Sequence, residues 1–438
     1  MRPRSPTRIY PLQIFARNVS NYVTFTSVDR SQKPARSQKD LRPNNSYKLR
    51  VPLLKSPTHF GHSSSRVNRL SNEDKYSANV LDLQGRVVFN FNIFDGHGGE
   101  QCLTFLLQKL ADSVELASPS DEDATDALLK NYATDIGGYW RRWYKHKDQN
   151  IEKMQKVPQV AKLESIDIPA DDLSVRIPMA YLAADYAFFN EEDNALGSTC
   201  TSAYLETIFS EDKGRFQPVY ESYYFNRHTV SKLTVAQVGD TKAILVDRQG
   251  EAHALTDAHH PSNPAEALRL RRYLANYFMT DSFGEERFIS LANTRSFGDL
   301  KFKEMGVTAE PDVAQLLVGD SETILRALTP SEIKDYTIGG LGGDEAFLLL
   351  CTDGVTTELT DQEIADIVMV NYNLRGHHAT PQLCAEEVIK FLEYIGGDDN
   401  ATCLVVRLNG WGKWPVIDRT GQLRQERLNA YQPRDRGN

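Results

Sequence analysis

Long apolar runs are what this 438-residue chain most lacks. The longest, around FLLLC at 347–351, is a few residues, whereas a membrane-spanning helix needs about 20. Cysteine is scarce: Cys102, Cys200, Cys351, Cys384 and Cys403 are the only five, and none belongs to a CxxC pair. That excludes the usual zinc signature, and cysteines within apolar runs read as small buried hydrophobes of a reducing compartment. Acidic residues are missing from the first 28 positions, and no secretory h-region is present. No internal repeat or low-complexity tract stands out.

What is present is the composition of a globular protein, 40% hydrophobic and 25% charged, with a mean hydropathy of -0.46. The length suits one large domain or two or three small ones. The net charge of -9 is unevenly spread: residues 1–50 hold 11 Lys+Arg against 2 Asp+Glu, so the remainder carries -18. A folded part that acidic is not a general nucleic-acid binder, which needs a basic footprint. The first segment contains Arg2, Arg4, Arg8 and Arg17, and after Pro11 the apolar Leu12, Phe15, Val19 and Val23 fall at helical spacing. This pattern predicts a mitochondrial presequence, with a basic tail of a cytosolic or nuclear protein as the alternative. Residues 29–50 have the character of a linker.

From about residue 60 to 408 the pattern is mixed. NVLDLQGRVVFNFNIFD reads as two strands joined at Gln84-Gly85, a hairpin signal. EQCLTFLLQKLADSVELA is an amphipathic helix, LTVAQVGDTKAILVDRQGEAHAL three short strands, and EAFLLLC and ATCLVVRL two more. Helices are expected at 181–190, 264–278, 361–371 and 381–395. Strands in hairpins and helices in separate blocks predict an α+β fold of antiparallel sheets covered by helices. Residues 117–180, charged and aromatic-rich, read as an insertion, and 409–438 as a loosely packed polar tail.

Three acids stand at strand ends: Asp95 after VVFNFNIF, Asp353 after FLLLCT, and Asp399 before ATCLVV. If the third strand runs antiparallel to the others, the carboxylates meet at one edge of one sheet. Crowded carboxylates repel and raise one another's pKa, and a divalent cation resolves this; oxygen ligands favour Mg²⁺ or Mn²⁺ over zinc. For any one Asp-Gly or Asp-Asn pair a plain turn competes with the ligand reading. The Gly96 carbonyl is a further candidate ligand, because glycine lets the backbone approach closely. His97, on a glycine-flanked turn two residues from Asp95, is a candidate general acid.

The ordered motifs RLSNED (69–74), FDGHGG (94–99), GSTC (197–200), VGDTKAIL (238–245), HPSNPAEALRL (260–270), LANTRSFGD (291–299), AEPDV (309–313), CTDG (351–354) and DDNATCLVV (398–406) resemble those of the metal-dependent protein phosphatases of type 2C. The resemblance covers roughly residues 60–408 and implies a catalytic domain over 51–408. The implied fold is a four-layer α-β-β-α sandwich of two antiparallel sheets flanked by helices. It also implies two Mg²⁺ or Mn²⁺ ions bridged by Asp95, with Gly96 on one and Asp353 and Asp399 on the other, and Glu73 and Asp74 reaching the ions through water. Arg69 would grip the substrate phosphate, and His97 would protonate the leaving seryl or threonyl oxygen as metal-activated water attacks in line. GSTC and GDTK are expected to be structural, and Arg295 and Asp299 to form an ion pair near the site. The gly-rich GGLGGDE (339–345) lacks the Lys-Ser/Thr of a P-loop and reads as a flexible connection.

Two positions depart from the family pattern. Ala258 replaces an acid before PSNP, and Thr357 replaces one after CTDG, which puts a third ion in doubt; Glu358 and His259 are the candidate substitutes. The expected protein is a monomeric phosphoserine/phosphothreonine phosphatase of the mitochondrial matrix or intermembrane space. By analogy its substrate is a phosphoprotein such as the pyruvate dehydrogenase complex or a mitophagy regulator. The competing expectation is a pseudophosphatase serving as a binding scaffold.

Overall fold

The strand Arg86–His97 shows how this sequence builds layers. Successive side chains alternate between faces, yet nearly all from Val88 to Phe94 are buried. Phe89, Phe91 and Ile93 join one apolar cluster, whereas Val88 and Phe94 join another. A strand with cores on both sides must lie in a sheet covered above and below. Asn90 and Asn92 also lie in this buried strand. Each Nδ2 donates to the other's Oδ1, at 2.8 and 2.7 Å, which satisfies their polarity without water.

The computed structural model describes residues 57–119, 121–150, 173–191, 196–212, 223–272 and 286–430, the strands 22–27, 47–52, 215–216 and 278–280, and the single residues 55 and 163. In chain order the main strands are β1 (Phe60–Ser65), β2 (Asp74–Leu83), β3 (Arg86–His97), β4 (Gly197–Asp212), β5 (Thr229–Val238), β6 (Lys242–Val246), β7 (Ala252–Ala254), β8 (Asp312–Gly319), β9 (Phe347–Cys351) and β10 (Ala401–Arg407). One sheet has the order β7-β6-β9-β10-β1 and the other β8-β5-β4-β3-β2, every pairing antiparallel. The short strands 215–216 and 297–298 add to β4.

The sheets pack through Phe60, Phe89, Phe91, Leu245, Leu348 and Leu404. The outer face of the second sheet is covered by α1 (Gln101–Leu116) and α4 (Leu173–Phe189), between which α2 (Glu122–Asp135) and α3 (Gly138–Tyr144) form the insertion. The outer face of the first is covered by α5 (Asp361–Arg375) and α6 (Pro381–Ile395). In α1 the buried Leu103, Leu106, Leu110 and Val114 recur every three or four residues, with Cys102 beside the first, one helical stripe. A Thr360–Glu363 capping box starts α5, and Gly396 in the left-handed region ends α6. The four-layer α-β-β-α sandwich is therefore as expected. Among the described residues no helix is long and apolar enough to cross a membrane.

Four local readings differ. Helix α4 begins at Leu173, so the end of the supposed insertion belongs to the main helical layer. There the buried Arg176 donates from Nη1 to the carbonyls of Val114 and Glu115 at 3.2 and 3.3 Å, closing the carboxyl end of α1. The carboxyl-terminal segment is anchored rather than loose: Trp411 and Trp414 are buried against Phe347, and in α7 (Gly421–Ala430) Arg427 pairs with Glu363 at 2.6 Å. The helix starting at Pro264 stops at Arg271. Tyr22–Ser27 pairs antiparallel with Tyr47–Pro52, so Val23 lies in a strand and part of the supposed linker is a strand too. Leu12, Phe15 and Val19 lie outside the described residues.

Candidate metal centre and active site

One of the places where the chain crosses between the sheets is Gly239–Asp240–Thr241, which leaves β5 in one and enters β6 in the other. Asp95 lies two residues before the end of β3 in the second sheet, whereas Asp353 follows β9 and Asp399 precedes β10 in the first. The acids thus meet at one edge of the sandwich, across both sheets, not at one edge of a single sheet. The antiparallel pairing of Cys351 with Cys403 brings Asp353, just past the end of β9, to the same end of the sheet as Asp399, just before β10. Gly354 brings the chain close to Asn400, since a Cβ there would lie 2.0 Å from the Asn400 carbonyl oxygen.

A cleft of about 610 Å³ opens at this edge, lined among others by Arg69, Glu73, Asp95, His97, Asp353 and Asp399. Carboxylate oxygens of Asp95, Asp240 and Asp353 all lie within 4.8 Å of one another. Asp240 escaped the sequence reading because GDTK scans as a plain turn; its position on the crossing is set by which sheet each neighbouring strand joins. Asp74 accepts hydrogen bonds from the hydroxyls of Thr352 and Thr402, both at 2.8 Å, and so ties the second sheet to the first. Its Oδ1, like Oδ1 of Asp240, is buried with no hydrogen-bond partner among the described residues.

Burial, together with the charges of Asp353, Asp74 and Asp240, pushes the Asp95 carboxyl well above the usual range. Burial and the neighbouring Asp240 and Asp399 push Asp353 up to about 7; burial raises Asp74 to about 6 despite its threonine donors. Burial acts on Asp240 in the same direction, but the hydrogen bond and charge of His260, 3.1 Å away, hold it below its ordinary value. Crowded oxygen donors, two of them orphaned and buried, fit a divalent cation with a preference for hard oxygen ligands.

The remaining expected residues fall as follows. Glu73 lines the cleft; its N–H donates to Asn400 Oδ1 at 2.8 Å, and its carbonyl accepts the Gly96 N–H at 3.2 Å. Arg69 stands at the rim with Nη2 2.7 Å from Asp399 Oδ2 and Nε donating to the Asp398 carbonyl. Ser198 and Thr199 donate to the Asp95 carbonyl at 3.1 and 3.4 Å, the structural service expected of GSTC. His97 Nε2 lies 2.7 Å from Asp299 Oδ2. Burial by itself lowers the imidazole pKa, but the bond and charge of Asp299 outweigh it and leave His97 raised.

Asp299 does not pair with Arg295. Arg295 pairs with Glu266 and Asp312, each at 2.7 Å, and Asp299 turns to the histidine. No local signal marks the His97–Asp299 contact, whose members are 202 residues apart. His259 is no substitute ligand: its Nδ1 accepts the Gly239 N–H at 3.0 Å and its Nε2 faces Asp312 at 3.0 Å. Its neighbour His260 contacts the acid cluster instead. Ala258 and Thr357 are exposed.

A two-sheet sandwich with carboxylates crowded at its edge, beside a histidine–aspartate pair and an arginine, is the framework of a metal-dependent hydrolase. The family described as "Protein phosphatase 2C" matches residues 144–326. Protein phosphatase 2C homolog 4 of Schizosaccharomyces pombe is 32% identical over 401 residues, 90% of this chain and 91% of that protein. "Protein phosphatase 1K, mitochondrial" of Xenopus laevis is 33% identical over 42% of this chain and 41% of its own. Among solved structures, a phosphatase from a pathogenic strain of Toxoplasma gondii superposes with a TM-score of 0.50 at 17% identity, covering 80% of this chain and 92% of that one. The chain belongs to the protein phosphatase 2C family of metal-dependent protein-serine/threonine phosphatases.

Proposed function

We propose that the chain hydrolyses phosphoserine and phosphothreonine in mitochondrial phosphoproteins at the cleft described above, with two Mg²⁺ or Mn²⁺ ions. The observation that carries this reading is the approach of Asp95, Asp240 and Asp353 within 4.8 Å at the cleft floor. Asp95, Asp240, Asp353 and Asp399, with the Gly96 carbonyl, would hold the ions, and Glu73 and Asp74 would support them through water. Bound there, the ions would lower the pKa of water and make it a nucleophile at neutral pH.

The chain's own groups supply the rest. Arg69, steadied by Asp399, presents guanidinium N–H groups at the rim that suit phosphate oxygens. As the new P–O bond forms and the bond to the seryl or threonyl oxygen breaks, that oxygen needs a proton. His97 Nε2 is committed to Asp299, so Nδ1 is the nitrogen that hands it over. The products are the free hydroxyl side chain and inorganic phosphate. An acidic folded part disfavours polyanionic small molecules relative to phosphoproteins.

The mitochondrial part of the reading rests on the acid-free, arginine-bearing first 28 residues and on the name of the Xenopus laevis relative. The matrix fits both, with a dehydrogenase complex or a mitophagy regulator as the substrate. Phosphate release from a phosphothreonine peptide, titrated with Mn²⁺ and Mg²⁺ and blocked by EDTA, is the test. A folded sample with no release at any metal concentration would replace this reading with that of a binding scaffold. Fluorescence imaging of the tagged chain, with and without residues 1–28, checks the location.

A further inference from the structure

We infer that the helical insertion is a buttress for the proposed general acid, and that Tyr132, Asp185 and Lys303 are positioning residues acting on His97 through Asp299. The inference rests on the reading of His97 given above.

The contacts run inward from the insertion without a break. Tyr132, on α2 and 1% exposed, donates its hydroxyl to Asp185 Oδ2 at 2.6 Å. Asp185, on α4 and 3% exposed, accepts the Gly298 N–H on Oδ1 at 2.7 Å and pairs through Oδ2 with Lys303 at 2.9 Å. Lys303 Nζ also donates to the Ser296 carbonyl at 2.7 Å, and the Ser296 hydroxyl donates to Asp299 Oδ2 at 2.5 Å. That oxygen is the one facing His97. Asp185 therefore holds the amide of the residue immediately before Asp299, while Lys303 holds the serine that bonds its carboxylate.

The backbone around Asp299 cannot keep this arrangement unaided. Asp299 sits in the left-handed region at φ 51°, unusual for a residue with a side chain. Gly298 has φ 69°, and a Cβ on it would lie 2.0 Å from the Leu196 carbonyl oxygen. Such a segment persists only when its surroundings over-determine it. On one side β4 pairs with Phe297 and Gly298, and the Leu196 carbonyl accepts the Asp299 N–H at 3.1 Å; the insertion with the helix it covers closes the other. Leu129, Ile136, Trp140 and Trp143 of the insertion pack with Met179 and Leu182 of α4. Gly138 abuts the Lys303 backbone so closely that a Cβ would fall 1.8 Å from its carbonyl oxygen. Apolar packing alone would make the insertion a lid on α4; the buried polar chain from Tyr132 to Asp299 gives it a route to the chemistry.

The test exploits the leaving group. A phosphothreonine side chain leaves as a strong base and needs a proton, whereas p-nitrophenolate leaves without one. In the full chain, Tyr132→Phe removes one hydroxyl from a packed ring, and Asp299→Asn and His97→Ala are the benchmarks. Tyr132→Phe is expected to lower kcat on a phosphothreonine peptide by roughly three- to thirtyfold, with KM unchanged and p-nitrophenyl phosphate turnover near normal. Asp299→Asn should act in the same direction more strongly. Equal loss on both substrates, or no loss on either, would overturn the buttress even if His97→Ala discriminates between them. If His97→Ala does not discriminate, the general-acid reading falls and the buttress falls with it.

Discussion

Gly197 offers the sharpest test of the proposed proton donor, because the space it leaves is what lets His97 meet Asp299. The residue pairs with His97 across β3 and β4. A Cβ added to it would lie 2.3 Å from His97 Nε2 and 2.3 Å from Asp299 Oδ2. Packed heavy atoms keep about 3.5 Å, so the Gly197→Ala variant must drive ring and carboxylate away by roughly 1 Å. A 2.7 Å hydrogen bond does not survive that displacement. A positioned acid contributes roughly 10²–10⁴-fold; the ring remains, so the lower end applies and kcat on a phosphothreonine peptide should fall by about 100-fold, near 3 kcal/mol. Overpacking should cost stability by only about 1–3 kcal/mol. Steady-state kinetics on folded protein, with Mn²⁺ titrated to saturation, measures both parameters. A normal kcat would refute the reasoning, and so would a loss fully reversed by more metal, because that would locate the damage in the acid cluster.

Asp95→Asn should cut turnover by roughly 10³-fold or more by weakening the hold on both ions. The same change removes one of the crowded carboxylates, so chelated protein should melt higher than wild type while losing its Mn²⁺-induced gain in Tm; thermal melts with EDTA and with Mn²⁺ check both signs. Asp240→Asn should raise the Mn²⁺ concentration for half-maximal activity about 10–100-fold, and an unchanged metal titration would remove Asp240 from the centre. Glu345 is buried, accepts the Gly319 N–H on Oε2, and is pushed by burial up to about 8. Between pH 4.5 and about 8 the unfolded chain has released this proton and the folded chain retains it, so stability falls as pH rises through that window. Glu345→Gln should flatten the slope and raise stability at pH 8 by on the order of 2–4 kcal/mol, read from urea melts at pH 5 and pH 8.

Local chemistry carried much of the architecture. Gln84 and Gly85 both adopt positive φ, as their hairpin signal demands, and the alternation around them sets the register of β2 on β3. The helices at 361 and 381 begin where Thr360 and Thr380 cap them. What could not be read depends on residues distant in the chain. Gly239-Asp240 looks like any strand turn, and only the choice of sheet by β6 carries Asp240 to Asp95 and Asp353. Asp299 and Arg295 lie four residues apart in one motif, but Glu266 and Asp312 surround that guanidinium and leave Asp299 to a histidine from another strand. Trp411 and Trp414 lie in a polar-looking segment whose burial depends on the groove beside Phe347. The acids Asp95, Asp353 and Asp399 were legible because strand ends are local features; their neighbours across the seam were not.

The clasp of Asp74 on Thr352 and Thr402 makes the cleft sensitive to how far apart the two sheets stand. Ions held by Asp95 on one side and Asp353 and Asp399 on the other would act as rivets across the sandwich. They would bind only after both sheets have docked, since neither sheet alone holds the set, and their binding energy would add to the resistance of that docking. Stripped of ions, the protein would come apart first along this edge, and its strand ends there would exchange amide protons before those at the opposite end. The phosphatase would then be its own gauge of metal supply, more easily degraded when the ions run short.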